Sequence, residues 1–226
     1  MAVTLQEFQR LLEARYTCRG YLPEAVPRAK IEAVLRAAQH VPSWCNSQPW
    51  QVTVCGRDQT QALRTALLKH VQGGGDAGSD VPFPQAYEGI YKERRSICGW
   101  QLYGAVGVEK GDRAGSARQS MQNFHLFGAP HFMLVTTPKA LGPYGVLDCG
   151  AFVTAVLLGL TAHGLAGAAM ASVAGYAGFL RDWFDVDEDR DVLCGIAFGH
   201  PDADHPANSF RTARARLEEA AEWRWD

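Results

Sequence analysis

No charged side chain occurs between Cys149 and Gly175, in the stretch CGAFVTAVLLGLTAHGLAGAAMASVAG. By its length alone this stretch could span a membrane. His163 and the glycines after it interrupt the stretch, and neither a basic flank nor an aromatic belt accompanies it. We therefore predict a soluble protein in which a helix from about Val146 to His163 precedes a short apolar strand. A helix that is apolar on all sides needs a large core or a subunit interface to cover it.

The composition excludes several classes of protein. The chain has 226 residues and a formal net charge of −2, and no basic block that would attract nucleic acid stands out. Its first residues, MAVTLQEFQRLLEARY, carry scattered charges and no apolar core, so we predict no signal peptide and a cytoplasmic location. The six cysteines form no CxxC pair, which favours free thiols and argues against a metal site.

Local patterns predict helices that alternate with strands, and no linker or internal repeat divides the chain. Thr4 and Glu7 have the spacing of a capping box, and Asp58 with Gln61 repeats that signature before a later helix. The expected helices cover residues 4–15, 27–41, about 58–71, 87–104 and 112–127, and the expected strands cover 51–55, 131–135 and 191–198. This order predicts a single α+β domain over residues 1–226 with a central sheet.

Two segments contain no regular pattern. The piece GGGDAGSDVPFPQ, from Gly73 to Gln85, cannot form regular structure, so we predict a mobile surface loop that could serve as a lid. The residues from Pro201 to the end are polar and begin with turn residues, which is typical of an extension outside the core.

Arginines alternate with hydroxyl residues near both ends of the chain. Arg15, Thr17 and Arg19 would project to one side of an extended segment, and a hydroxyl flanked by guanidinium groups suits a phosphate. The segment from Asn208 to Arg216 repeats this pattern with three arginines. Solvated arginines near a helix end are the more common explanation for one such cluster. Two clusters could converge on one phosphate.

The segment VPSWCNSQPW, from Val41 to Trp50, is a polar loop between two prolines. Ser43, Asn46 and Gln48 carry hydroxyl and amide groups that suit the edges of a polar heterocycle. Two prolines would fix the backbone so that its polar groups point at a ligand at small entropic cost. A plain connection between a helix and a strand remains the alternative.

The chain lacks the common motifs of acid–base and nucleotide chemistry. It contains no GxGxxG after a strand, no GxSxG and no HExxH. Asp148 could be a base, although an acidic residue at a helix start is normally a cap, and Cys45 has no histidine near it in the sequence. If the protein is an enzyme, a cofactor is expected to carry the chemistry.

Taken together, these residues resemble the FMN-dependent nitroreductase family, in a branch similar to nitrobenzoate reductases. The motifs that carry the resemblance follow the family's order along nearly the whole chain: Arg15-x-Thr17-x-Arg19 with Tyr21, VPSWCNSQPW, Phe127-Gly128-Ala129-Pro130, His163-Gly164-Leu165, Gly199-His200-Pro201-Asp202 and Asn208-Ser209-Phe210-Arg211-Thr212-Ala213-Arg214. One departure is Ala169-Met170, where members of this branch commonly have Pro-Gln.

The resemblance implies an α+β fold with a central mixed sheet flanked by helices, assembled as an intertwined homodimer. FMN would lie between the subunits, and the extension 201–226 would wrap the partner. The resemblance also implies a set of FMN-binding residues, of which the loop residues would come from the other subunit: Arg15, Tyr16, Thr17, Arg19, Pro42, Ser43, Trp44, Asn46, Asn123, Ala171, Ser172, Arg211 and Arg214. No residue is expected to act as an acid or base, because hydride moves to and from the flavin N5 atom.

The implied activity is reduction of nitroaromatic compounds, quinones or similar flat acceptors, with NADH or NADPH as the donor in a ping-pong cycle. Three alternatives remain open. The same fold could catalyse dehydrogenation, dehalogenation or ring reduction, the protein could bind and store FMN without turnover, or the apolar stretch could belong to a small membrane protein.

Overall fold

Two strands that are apolar on both faces form the centre of the sheet. In the computed structural model, which describes residues 2–225, β2 (His131–Pro138) pairs with β4 (Arg190–Gly199). β1 (Gln51–Cys55) and β3 (Ala166–Met170) complete a sheet in the order β1-β2-β4-β3. All pairings between these strands are antiparallel, so the α+β class is confirmed, whereas the expected mixed sheet is wrong.

The alternation of side chains along β2 divides the core into two halves. Phe132 and Leu134 lie on one face of the sheet, and Met133 and Val135 lie on the other, and all four are fully buried. Both faces are covered by helices, which explains why the strand contains no polar alternation.

Local spacing predicted the six helices that precede Ala166, whereas the three short helices after Met170 were not predicted. Their observed bounds are α1 Leu5–Ala14, α2 Arg28–Ala38, α3 Arg57–Gln72, α4 Gly89–Ala105, α5 Arg113–Met121, α6 Gly142–Ala162, α7 Ala171–Ala174, α8 Ala177–Phe184 and α9 Leu217–Ala220. Short 3₁₀ turns occupy Trp44–Asn46, Leu126–Gly128, Lys139–Leu141 and Pro206–Asn208.

The expected helix ends are only partly confirmed. Thr4 and Glu7 form the capping box of α1, in which each side chain accepts from the other's backbone. The expected cap by Asp58 is wrong, because the N-cap of α3 is Gly56 and Asp58 lies in the first turn. The strand ends at Cys55 and the helix begins at Arg57, so the cap falls two residues before Asp58.

The apolar stretch forms α6 and β3, as expected. Pro143 lies in the first turn of α6, where its missing N–H costs nothing, and the helix therefore begins before Val146. One face of α6 packs against the sheet and α2, with Phe152, Val156 and Leu160 buried. The opposite face is open, so the helix is not buried on all sides within one chain.

Among residues 2–225, one helical segment is long and apolar enough to cross a membrane. It covers Lys139–Ala162, and 28% of its most apolar window is buried within the monomer. The buried face belongs to the core of an α+β domain, which is the arrangement expected for a core helix with one uncovered side.

Candidate active site

The segment after α1 runs beside the edge strand β3. Arg15 ends the helix with extended backbone angles, and Thr17 forms a parallel bridge with Gly167. The backbone N–H of Cys18 donates to the carbonyl of Gly167 over 3.4 Å. The extended conformation therefore gives Arg15, Thr17 and Arg19 the alternation that their spacing predicts.

The second arginine cluster folds onto the first. The guanidinium of Arg211 lies over the ring of Tyr16, with its carbon 3.7 Å from the ring centroid. Asn208 joins the two segments, since its Oδ1 accepts from the backbone N–H of Arg19 over 2.8 Å and its amide donates to the carbonyls of Gly20 and Asp202. The two clusters thus converge, as the sequence predicts.

Together they enclose a pocket of about 600 Å³, within the size range of small-molecule sites. Its lining consists of the two clusters, part of α1 and one residue of α4: Gln9, Leu12, Glu13, Arg15, Tyr16, Thr17, Arg19, Cys98, Phe210, Arg211, Thr212 and Arg214. The lining contains four arginines, two threonines and one carboxylate, that of Glu13, which accepts a hydrogen bond from Gln9. We call this space the arginine pocket.

The arginine pocket holds like charges at close range. Burial, and after it the positive charge of Arg214, lower the pKa of the Arg15 guanidinium. Burial also lowers the pKa of Arg19. Among residues 2–225, neither Arg15, Arg19, Arg211 nor Arg214 forms a salt bridge. Arginines remain protonated in proteins, so this cluster is suited to bind an anion with several oxygen acceptors.

The other end of β3 leads to a second group of expected site residues. Ala171 and Ser172 begin α7 directly after the strand, and the hydroxyl of Ser172 donates to Oδ1 of Asn123 over 3.1 Å. A strand rises by about 3.3 Å per residue, so Ala171 lies about 13 Å along the chain from Gly167, where the arginine segment docks. The site residues of the two groups thus follow one edge of the sheet.

The loop residues do not reach the arginine pocket of the same chain. Pro42 and Ser43 line a separate, shallow groove with the open face of α6, and that groove shares no lining residue with the arginine pocket. The exposed ring of Trp44 packs against Tyr144, with 4.7 Å between the ring centroids.

The loop from Pro42 to Pro49 has a defined conformation fixed by hydrogen bonds, and it is not a plain connection. Cys45, Asn46 and Gln48 have φ angles of 50°, 56° and 47°, in the left-handed region that non-glycine residues seldom adopt. Ser43 Oγ accepts from the backbone N–H of Gln48, and Asp148 Oδ2 accepts from that of Trp44 over 3.0 Å. Strained backbone held by several bonds is common at ligand sites. Asp148 thus anchors the loop from α6.

Sequence reasoning missed the residues that hold the site together. Asn208 lies within a recognised motif, but its bonds reach residues 188 and 189 positions away, which local spacing cannot indicate. The hydroxyl of Tyr21 lies 3.0 Å from the carbonyl oxygens of both Cys18 and Ala197 and so attaches the arginine segment to β4. The half-buried Cys98 also lines the arginine pocket.

The loop from Gly73 to Gln85 is irregular, as expected, and it is tied to the protein. Gly78 exchanges backbone hydrogen bonds with Gly175 and Ala177, of 2.7 and 2.9 Å. Oδ2 of Asp80 accepts from the guanidinium of Arg181 and from the backbone N–H of Val192, each over 2.7 Å. These contacts fix the first half of the loop against α7, α8 and β4.

Comparison with known proteins places this arrangement among flavoenzymes. The sequence model of the nitroreductase family matches residues 12–200. The chain is 31% identical to a 4-nitrobenzoate reductase of Pseudomonas putida over 215 residues, which cover 95% of this chain and 94% of the relative. It is also 31% identical to nitroreductase NfnB of Mycolicibacterium smegmatis, over 95% of this chain and 91% of the relative.

Solved structures agree with these sequence matches. The FMN-dependent nitroreductase NfnB from Mycobacterium smegmatis, in complex with NADPH, superposes with a TM-score of 0.90 at 30% identity, covering 96% of this chain and 98% of that chain. The FMN- and NADPH-dependent nitroreductase NfnB from Sphigopyxis sp. strain HMH gives a TM-score of 0.92 at 29% identity, covering 96% and 99%.

Proposed function

Because the chain belongs to the nitroreductase family, we propose that it is an oxidoreductase that uses FMN and NADH or NADPH to reduce nitroaromatic or similar flat acceptors. The observation that carries this proposal is the arginine pocket. Its two arginine clusters come from opposite ends of the chain and face each other without a salt bridge among residues 2–225. Such a site fits the phosphate of a mononucleotide.

The residues present fit FMN along the edge of the sheet. Arg15, Thr17, Arg19, Arg211 and Arg214 would hold its phosphate and ribityl chain, with Tyr16 beneath the Arg211 guanidinium. Asn123, Ala171 and Ser172 would lie at its ring system, where hydrogen-bond donors orient the flavin. FMN, when bound, supplies the hydride-transfer chemistry at its N5 atom.

The protein's own contribution is positioning and electrostatics. Within residues 2–225, the lining of the arginine pocket contains no histidine and a single carboxylate, that of Glu13, so no acid–base pair is arranged there. A positive charge near the ring system would favour the reduced, anionic flavin. Donor and acceptor would bind in turn beside the flavin, and the protein would orient each of them toward it.

We further propose that the enzyme is a homodimer in which the open face of α6 is the interface. The loop residues Pro42, Ser43, Trp44 and Asn46 lie outside the arginine pocket of their own chain, so they would reach the FMN of the partner subunit. A second copy would also cover Leu147, which is 67% exposed on α6. The extension 201–226 would wrap that copy, and the protein would function in the cytoplasm.

The proposal names a class of aromatic acceptors and not a single compound. Relatives at about 30% identity are named 4-nitrobenzoate reductases, and this favours a nitroaromatic acid over a quinone for the first assays. An FMN store without turnover is the competing proposal from another class, because its phosphate site would be the same.

An absorbance spectrum of the purified protein tests both proposals. We expect the bands of oxidised flavin, their rapid bleaching by NADPH or NADH without air, and their return on addition of 4-nitrobenzoate. Bleaching that takes hours would favour storage. A colourless protein that cannot be reconstituted with FMN would contradict both.

A further inference from the structure

Phe83 is an aromatic side chain that the core does not use. It lies in the middle of Val81-Pro82-Phe83-Pro84 and is 48% exposed, although burial of a phenylalanine is normally favourable. The prolines on both sides restrict the backbone, so the ring is presented at small entropic cost.

The ring has a defined neighbour. An added Cβ on Gly175 would lie 3.5 and 3.6 Å from Cε2 and Cζ of Phe83, and 3.2 Å from the carbonyl oxygen of Ser172. Phe83 therefore lies against Gly175, the C-cap of α7, and α7 also contains Ser172, whose hydroxyl donates to Asn123.

The loop is anchored in a way that holds this ring in place. Asp80, three residues before Phe83, forms a salt bridge of 2.7 Å with Arg181, and both side chains are mostly buried. Arg181 also donates to the carbonyls of Asp187 and Arg190, which fixes it to the start of β4. The ring of His70 packs against Tyr176 and Phe179 and lies directly under Gly75, at the start of the loop.

We propose that Phe83 is a specificity-determining residue whose ring stacks against flat aromatic acceptors, and that the Asp80–Arg181 ion pair positions it. This inference rests on the proposed function, since it takes the Ser172 end of the site as the place where acceptors bind. Stacking between aromatic rings adds affinity beyond the burial of area. A contact with acceptor alone raises affinity for the acceptor and leaves the donor half-reaction unchanged.

The test uses the dimeric, FMN-loaded protein with three acceptors: 4-nitrobenzoate, the quinone menadione, and ferricyanide, which has no ring to stack. In Phe83→Ala we expect KM for both flat acceptors to rise about tenfold, the size of a stacking contact. We expect kcat, ferricyanide reduction, flavin content and the rate of flavin reduction by NADPH to stay as in the wild type. Phe83→Tyr, which keeps the ring, should remain within about twofold of the wild type.

A second variant tests whether the Asp80–Arg181 ion pair positions Phe83. Asp80→Asn retains the shape of the side chain and loses its charge, so we expect an intermediate rise in KM for the flat acceptors and no change for ferricyanide. Unchanged KM for both flat acceptors in Phe83→Ala would overturn the inference while leaving the proposed function intact. A wild type that reduces ferricyanide but neither flat acceptor would also overturn it. Failure of the wild type to oxidise NADH or NADPH with any acceptor would overturn the proposed function itself.

Discussion

The guanidinium of Arg211 rests on the ring of Tyr16 at 3.7 Å from its centroid, and this contact joins the two ends of the chain. Neither residue belongs to a helix or a named strand of the sheet. Their approach depends on Asn208, whose buried side chain hydrogen-bonds to the backbone of Arg19 and Gly20 in the first segment. The arginine pocket is therefore a product of tertiary folding.

Loss of an arginine from this pocket is expected to weaken FMN binding. Arg15→Ala or Arg211→Ala should cost about 1.5–3 kcal/mol, the size of a charge-assisted hydrogen bond, or roughly 10- to 150-fold in Kd. Arg36→Ala is the matched control, because Arg36 is on the exposed side of α2 and pairs only with Glu32. Fluorescence titration of the apoprotein with FMN measures the effect. Equal Kd values in the wild type and both pocket variants would exclude the phosphate assignment.

A charge on the open face of α6 is expected to separate the dimer. Leu147 is 67% exposed in the monomer, so Leu147→Asp should fold normally but place a carboxylate in the proposed interface. Light scattering should then report monomers at concentrations where the wild type is dimeric, and flavin should be lost because the partner's loop is absent. Leu147→Met, which keeps the apolar surface, should stay dimeric. A wild-type monomer that retained flavin would refute the interface.

Protonation of His131 is expected to destabilise the fold below neutral pH. Its buried ring accepts from the backbone N–H of Val26 through Nε2, and Nδ1 lies 3.2 Å from the carbonyl of Cys55, so both nitrogens are satisfied in the neutral form. Burial lowers its pKa from 6.5. A lowered folded pKa means that the unfolded chain binds more protons between the two values. The stability that the neutral His131 ring gives to the fold is thus complete above pH 6.5 and is lost as the pH falls toward the folded pKa.

Urea denaturation at a series of pH values measures this loss. His131→Gln should be less stable than the wild type at neutral pH, and the difference should shrink as the pH falls below 6.5. His40→Gln, which makes the same replacement at an exposed position, is the matched control. A constant difference between wild type and His131→Gln at all pH values would show that the ring does not titrate in this way.

Any side chain at Gly195 in β4 is expected to destabilise the fold. A methyl group there would overlap the fully buried ring of Phe132 and approach Val173 within 2.9 Å. Gly195→Ala should therefore destabilise the protein by about 1–3 kcal/mol, as overpacking does. Gly104→Ala is the comparison, since nothing lies within 4 Å of its added Cβ and it is in α4, where alanine is the better helix former. Equal urea midpoints for both variants, at matched protein concentration, would contradict this account.

Local and ordered features of the sequence determined much of the architecture. Patterns among neighbouring residues predicted the capping box at Thr4, the strand at residues 51–55 and the two strands that are apolar on both faces. The structure confirms all of them. The order of the motifs identified the family, because several moderately specific signals in a fixed order are jointly specific.

Tertiary structure decided what connects distant parts of the chain. Strand direction, the Gly56 cap in place of Asp58, and the Asp80–Arg181 anchor depend on which elements pack together, and periodicity contains no information about partners. Only the folded chain reveals that α6 is covered on one side. The amphipathic pattern that would indicate an open face is absent, because the open face of α6 is nearly as apolar as its covered face.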